Sequence, residues 1–179
     1  MATGPELIRD ALVGANVRLA ASLPDDWLSE LIRLLQQDPR FIHVPVAREE
    51  EIAGICSGAF FAGLNAVGIM GCAGFLASVH ELATLNLMYE IPLLLLLSLR
   101  GTIEDPRVYQ VVQGRVTLPV MEALGIPYHI VERQEQIGVI GPACEHARIA
   151  KRPVAVLFTR GILASVHTHE SVPAPGAAR

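Results

Sequence analysis

A stretch without acidic or basic side chains, which runs from Ile52 to Val79, constrains the fold of this chain most. It is longer than the roughly 20 apolar residues that a helix needs to span a bilayer. Glycines recur along it, however, and Asn65 lies near its middle, which favours several short elements over one long helix. We therefore predict a helix, a turn, a strand at Ala66 to Met70, a second turn and a second helix. Membrane insertion is the disfavoured alternative.

The composition predicts a protein with large buried surfaces. Hydrophobic residues make up 51% and charged residues 18% of the 179 residues, and the mean hydropathy is +0.42. The leucine run from Leu93 to Leu97 is too short to span a membrane and is typical of a strand buried on both faces. These features favour a soluble subunit with extensive interfaces.

Charge and cysteine content exclude several classes of protein. The net charge is −4 and no basic patch occurs, which argues against a nucleic-acid partner. Cys56, Cys72 and Cys144 are odd in number and widely spaced, which indicates neither a disulfide framework nor a metal site. The amino-terminal residues lack the features of a signal peptide, so we predict a cytoplasmic protein.

Strand and helix patterns alternate along the chain. Alternation with short turns predicts a three-layer α/β sandwich with a parallel sheet of about six strands. We place this domain at residues 1–163 and expect residues 164–179 to form a disordered tail. The predicted strands cover residues 17–21, 41–46, 66–70, 92–99, 128–131 and 153–159, and the helices between them include Phe75 to Leu87 and Gln134 to Ala150, with Trp27 on the apolar stripe of the second helix. Ligands of such sheets bind at the carboxyl ends of the strands, which selects the loops 45–51, 71–74 and 100–107.

The helix that starts near Glu49 carries a distinctive motif. Gly58 follows Glu49 by nine positions, and Ala59-Phe60-Phe61-Ala62 comes directly after it. This arrangement resembles the pyrimidine-binding domain of thiamine diphosphate enzymes. Together with Arg48-Glu49-Glu50-Glu51, residues 85–95 and Arg100-Gly101, it is most similar to the split-subunit 2-oxoacid decarboxylases, the sulfopyruvate and phosphonopyruvate decarboxylases. The resemblance extends from about Gly4 to about Leu163.

The resemblance implies that Glu49 is the catalytic residue. In this family the glutamate hydrogen-bonds a ring nitrogen of the cofactor's aminopyrimidine and favours the tautomer that activates the thiazolium ring. Glu50 and Glu51 lie about 100° and 200° further round the helix, so at most one of the three carboxylates can face the ligand. The alternative is that the three carboxylates are ordinary solvated residues at the start of a helix, because acidic side chains are stabilised at helix N-termini.

The loop of Gly71, Cys72, Ala73 and Gly74 is the second expected cofactor contact. Related decarboxylases carry a polar run here, whereas this chain has small apolar residues, which predicts a 2-oxoacid whose far end is less polar than a sulfonate or phosphonate. Cys72 is expected to line the pocket as a small hydrophobic residue rather than to act as a nucleophile, since no neighbour in sequence would lower its pKa.

Arg100, Gln113 and His43 are the candidate substrate-binding residues. A guanidinium at a strand end can form a fork of hydrogen bonds with a carboxylate, sulfonate or phosphonate. The alternative for Arg100 is an ion pair with Glu104 or Asp105, and the alternative for His43 is a structural role.

The chain lacks a Gly-Asp-Gly motif with a downstream asparagine. In the resembling family this motif holds Mg²⁺ and the diphosphate, so the resemblance implies a diphosphate-binding beta subunit that shares the cofactor in an α2β2 or higher heteromer. The expected activity is decarboxylation of a 2-oxoacid. Carboligation through the same site, or a non-catalytic assembly or regulatory module with this fold, are the alternatives.

Overall fold

The computed structural model of the chain describes residues 2–103, 105 and 107–164, and its core is a single sheet. Its strand order is β2-β1-β3-β4-β6-β5, and every neighbouring pair is parallel. This confirms the predicted α/β fold with a parallel sheet of six strands. The strands are β1 (Val17–Ser22), β2 (Ile42–Pro45), β3 (Asn65–Gly71), β4 (Leu93–Ser98), β5 (Tyr128–Val131) and β6 (Pro153–Phe158).

Helices cover both faces of the sheet, which gives three layers. Helices α1, α2 and α7 pack on one face, and α3, α4 and α6 pack on the other. No helix in the described part of the chain is long and apolar enough to cross a membrane. The helices are α1 (Gly4–Gly14), α2 (Ser29–Gln37), α3 (Glu50–Phe61), α4 (Cys72–Ala77), α5 (Val79–Glu81), α6 (Gln110–Leu124), α7 (Ile140–Ala150) and α8 (Arg160–Leu163).

Local sequence signals account for several of these boundaries. Helix α1 starts with a capping box, in which the backbone N–H of Thr3 donates to the Glu6 carboxylate at 2.7 Å. Helix α6 is capped at its C-terminus by Gly125, whose φ of 65° is in the left-handed region that favours glycine. The leucines of β4 are buried on both faces of the sheet, as predicted for a central parallel strand.

The predicted single helix from Phe75 to Leu87 was wrong. The chain forms α4, the single turn α5 and then a π-helix, Leu82–Leu87. The side chain of Asn86 in the π-helix is fully buried, and its Nδ2 donates to Ser57 Oγ at 3.1 Å and to the Ile91 carbonyl at 3.3 Å. A wider helical turn that buries an amide depends on these distant partners, so the local pattern does not reveal it.

Two other helix starts also differ from the prediction. The segment predicted as a helix from Gln134 begins as a 3₁₀-helix, Gln134–Val139, and α7 starts only at Ile140. Trp27 precedes α2 instead of lying on its apolar stripe. Of the predicted disordered tail, residues 164–179, all but Ala164 lie outside the described residues, as does Glu104.

The strand order predicts a crevice at the carboxyl ends of β1 and β3. The chain continues from β1 to α2 on one face and from β3 to α4 on the other face. Such a point of divergence is where open parallel sheets bind their ligands. The turn between Ser22 and α2 and the turn between β3 and α4 therefore frame the candidate site.

Asn86→Ala tests the role of the buried amide in holding the π-helix. The change removes the donors to Ser57 Oγ and to the Ile91 carbonyl, so we expect the free energy of unfolding to fall by about 1–3 kcal/mol. Urea unfolding of the purified chain is the measurement. Thr84→Ala, at an exposed position of the same π-helix, serves as the control and should change stability much less. Equal effects of the two substitutions would contradict this role for Asn86.

Candidate active site

The three glutamates at the start of α3 have different surroundings. The guanidinium of Arg48 pairs with Glu50 at 2.5 Å. The Glu51 carboxylate accepts hydrogen bonds from the backbone N–H groups of Ala47 and Arg48, at 3.0 and 3.4 Å. No described residue forms a hydrogen bond or ion pair with the carboxylate of Glu49. Glu49 is thus the one member of the trio whose carboxylate is available to a ligand.

The Glu49 side chain lies directly against Gly74, the third residue of α4. A Cβ atom at Gly74 would lie 2.5 Å from Glu49 Cγ and 2.8 Å from Oε1, which is closer than real Cβ contacts. Glycine at this position therefore provides the space in which the half-buried carboxylate sits.

A second carboxylate occupies the equivalent space at Gly71. A Cβ atom there would lie 2.9 Å from Asp25 Oδ2 and 3.5 Å from Ser98 Oγ. The other oxygen of Asp25 accepts hydrogen bonds from the backbone N–H groups of Trp27 and Leu28. The sequence pattern did not indicate Asp25 as a site residue. Its position at the end of β1, next to the point where the chain diverges, is the signal that could have identified it.

Arg100 is buried at the centre of this edge and is 2% exposed. Its Nε donates to Asp105 Oδ2 at 2.8 Å, and its Nη1 donates to Asp25 Oδ2 at 3.4 Å. The guanidinium carbon lies 4.1 Å above the centre of the Trp27 ring, within the range of a cation–π contact. This geometry favours the ion-pair alternative for Arg100, because a substrate anion could reach the guanidinium only by displacing one of these carboxylates.

The hydrogen bonds that reach Asp105 have a clear electrostatic effect. Burial opposes its ionisation, but the hydrogen bonds from Arg100 and from the backbone N–H groups of Gly101 and Arg107 outweigh that cost and lower its pKa. The ionised carboxylate and the buried guanidinium therefore depend on each other.

Cys72 and Ala73, which start α4, differ in their exposure. The Cys72 side chain is fully buried, and its thiol donates to the Ser98 carbonyl at 3.0 Å. Burial raises the pKa of this thiol, which keeps it protonated. Cys72 is therefore a small packing residue, whereas Ala73 is exposed at the start of α4.

His43 lies apart from Glu49. In the β1–β2 register it is opposite Ala20, and it shares the face of the sheet covered by α1 and α2. Its Nε2 is 2.8 Å from Ser22 Oγ, and partial burial lowers its pKa. The structure does not bring His43 together with the glutamate of α3.

Gln113 lies on α6, next to the loop that carries Arg100. A Cβ atom at the adjacent Gly114 would lie 2.0 Å from the Arg100 carbonyl oxygen, so helix and loop are in direct contact. The side-chain oxygen Oε1 of Gln113 is buried and has no hydrogen-bond partner among the described residues. Gln113 therefore stays a prediction as a substrate-binding residue.

Comparisons with known proteins place this chain in a family. No protein-family model matches the chain. It is 32% identical to the sulfopyruvate decarboxylase subunit alpha of Methanocaldococcus jannaschii, over 87% of this chain and 92% of the relative. It is 34% identical to the sulfopyruvate decarboxylase subunit alpha of Methanothermobacter thermautotrophicus, over 74% of this chain and 83% of the relative. The chain belongs to the family of sulfopyruvate decarboxylase alpha subunits.

One more distant relative and one solved structure extend the comparison. The phosphonopyruvate decarboxylase of Streptomyces viridochromogenes is 24% identical over 90% of this chain, which covers 42% of that enzyme. The fold matches the 2-oxoglutarate:ferredoxin oxidoreductase of Magnetococcus marinus with a TM-score of 0.68 and 14% identity, over 90% of this chain and 29% of that one. These findings confirm the family resemblance that the motifs around Glu49 and Arg100 indicated.

A double-mutant cycle tests the contact between Glu49 and Gly74. Gly74→Ala should destabilise the wild-type chain by about 1–3 kcal/mol, because the added methyl group overlaps the glutamate side chain. In a Glu49→Ala background the overlapping atoms are gone, so the same substitution should cost at least about 1 kcal/mol less. Urea unfolding of the four proteins gives the coupling energy.

Gly58→Ala is the control for this cycle, because a Cβ atom at Gly58 meets nothing within 4 Å. Alanine should be neutral or stabilising there. Additive effects at Glu49 and Gly74 would contradict the contact.

Asp105→Asn tests the buried ion pair. Removing one partner of a buried pair leaves the other charge poorly compensated, so stability at pH 7 should fall by about 3 kcal/mol. Because the pKa of Asp105 is lowered in the folded state, its contribution is fully present above about pH 4 and is lost as the pH falls further. Unfolding free energies between pH 3 and 7 should therefore show a weaker acid dependence in the variant.

Asp10→Asn, in an exposed pair with Arg9, is the control, and its free energy of unfolding should change little. An unchanged acid dependence in Asp105→Asn would contradict the assignment.

Proposed function

We propose that this chain is the pyrimidine-binding alpha subunit of a thiamine diphosphate-dependent decarboxylase that acts on a 2-oxoacid. The observation that carries the proposal is the Glu49 carboxylate, which has no described partner and lies over Gly74 at the carboxyl edge of a parallel sheet. Family membership supports the reaction class, because the relatives are sulfopyruvate decarboxylase alpha subunits.

The residues at this edge fit the pyrimidine end of the cofactor. A carboxylate that accepts no hydrogen bond from described residues can accept one from a ring nitrogen, or share a proton with it. Its neighbours Glu50 and Glu51 are engaged by Arg48 and by backbone N–H groups, so they do not compete for the same ligand. Gly74 contributes no side chain that would separate the ligand from Glu49.

Each group of this chain has a defined task in the proposed mechanism. When bound, thiamine diphosphate supplies the carbon nucleophile and the electron sink that decarboxylation of a 2-oxoacid requires. Glu49 holds and moves a proton at the pyrimidine ring nitrogen. Gly74 leaves the space in which the Glu49 side chain sits, and Arg100 holds Asp25 beside Gly71 as the opposite wall of the crevice.

The remainder of the site belongs, in this proposal, to a diphosphate-binding beta subunit. That subunit would hold Mg²⁺ and the diphosphate group, since this chain lacks the Gly-Asp-Gly motif. The heteromer would be α2β2 or larger. Support comes from the names of the relatives of similar length, which are alpha subunits. The identity of the 2-oxoacid, with the expected preference for a less polar far end, stays a prediction.

Glu49→Gln tests the proposed function. The amide is nearly isosteric with the carboxyl group, so fold and assembly should survive. It cannot take up and return the proton, and general acid–base contributions are typically 10²–10⁴-fold, so turnover should fall by about that factor. The measurement is decarboxylation by the assembled heteromer at saturating cofactor, together with hydrogen–deuterium exchange at the thiazolium C2.

Glu50→Gln and Glu51→Gln are the matched controls on adjacent positions. Both should retain most of the activity, because their carboxylates have local partners. Near-normal exchange in Glu49→Gln with loss in a neighbour would show that the wrong glutamate is assigned. If none of the three substitutions matters, the chain does not form a working thiamine diphosphate site.

A further inference from the structure

The two outer helical layers of the domain differ sharply in polarity. Among the described residues of α1, α2 and α7, only Ile149 is a large hydrophobic side chain with high exposure. The opposite layer and the turns next to its helices expose nine such side chains. Phe60 and Phe61 lie at the end of α3, Met88 and Tyr89 follow the π-helix, Ile103 lies in the loop after β4, and Val108, Tyr109, Val111 and Val112 lie at the start of α6. We call the last four residues the α6 patch.

The exposed side of the first turn of α6 is apolar, whereas Arg115 and Glu122 are exposed further along the helix. Only Thr117 and Met121 of its 15 residues are buried. Val108 lies in the turn before α6 and Val112 lies in its first turn, with exposures of 83% and 64%. Clustered exposed apolar side chains of this kind, next to polar residues, mark interaction sites. No described element of this chain covers the α6 patch.

The α6 patch adjoins the Glu49 site. A Cβ atom at Gly101 would lie 2.5 Å from the Gln110 carbonyl oxygen and 3.0 Å from Val111 Cα, so the first turn of α6 rests on the loop that follows β4. Helix α6 also packs against α4, the helix whose Gly74 contacts Glu49. A protein bound to the patch would therefore meet the carboxyl edge of the sheet, where the Glu49 carboxylate lies.

The lengths of the relatives identify the kind of protein that fits here. The chain matches 38% of the sulfopyruvate decarboxylase of Methanosarcina acetivorans and 42% of the phosphonopyruvate decarboxylase of Streptomyces viridochromogenes. More than half of each of those two longer chains lies outside the match. A second copy of this chain would not supply that missing part, whereas a separate companion subunit would.

We propose that the α6 patch is the docking surface for the companion subunit that completes the site, with Val108 and Val112 at its centre. The identity of the companion rests on the proposed function, but the location of the surface does not. Apolar side chains at the centre of an interface contribute most when they become fully desolvated. A charge introduced at Val112 should therefore disrupt the complex.

The experiment compares Val112→Glu with Ile149→Glu, which places the same charge on the opposite layer at a similarly exposed position. The full chain and its variants are titrated with the purified diphosphate-binding subunit of the same organism, recognised by its Gly-Asp-Gly motif. We expect Val112→Glu to weaken binding by at least 100-fold and Ile149→Glu to change it less than threefold. Val108→Ser/Val112→Ser, with circular dichroism and thermal unfolding, separates loss of binding from loss of folding and should weaken binding about 10-fold.

Normal binding by Val112→Glu, or equal loss in Ile149→Glu, would overturn the proposal. It would also be overturned if the wild-type chain dimerises through this patch and Val112→Glu abolishes only that dimer. Turnover measurements separate the two proposals. If Val112→Glu prevents assembly but Glu49→Gln leaves turnover unchanged, the docking surface is retained and the proposed function is rejected. If Glu49→Gln lowers turnover but Val112→Glu leaves assembly unchanged, the proposed function is retained and the docking surface is rejected.

Discussion

Two glycine–carboxylate contacts in one short turn hold the candidate site together. Gly71 and Gly74 lie on either side of the start of α4. At each glycine, a carboxylate from another element occupies the space that a side chain would fill. Asp25 arrives from the end of β1, and Glu49 arrives from the start of α3. Because a methyl group at either glycine would displace the carboxylate beside it, the placement of both carboxylates depends on the absence of two Cβ atoms.

Arg100 stabilises the same arrangement through its ion pair with Asp25. A buried guanidinium is costly unless its donors are matched, and here two carboxylates and an aromatic ring surround it. The ion pair ties the end of β1 to the loop after β4, across the intervening strand β3. An arginine that looks like a substrate-binding residue in the sequence therefore has a structural explanation, since it positions Asp25 at the wall of the crevice.

The high hydropathy of the chain has two sources in the structure. The leucines of β4 and the cores on both faces of the sheet account for part of it. The rest is displayed on the outer surface of the layer that contains α3 and α6, while α1 and α2 carry exposed ion pairs such as that between Arg33 and Glu30. An uneven surface of this kind is typical of a subunit, because a monomer that displayed it would tend to associate.

The sequence by itself determined the architecture and the leading catalytic candidate. Alternating apolar segments and short turns indicate a parallel sheet, since each pattern reflects burial of that segment alone. The spacing from Glu49 to Gly58 singles out one glutamate through family resemblance.

Only the tertiary structure decided the surroundings of the candidate site residues. Asp25 and Arg100 are 75 positions apart and meet because their strands end at the same edge. The π-helix, likewise, depends on Ser57 and Ile91, which lie outside it. Contacts between residues distant in the chain depend on the register of the sheet and on packing across layers, which local patterns do not encode.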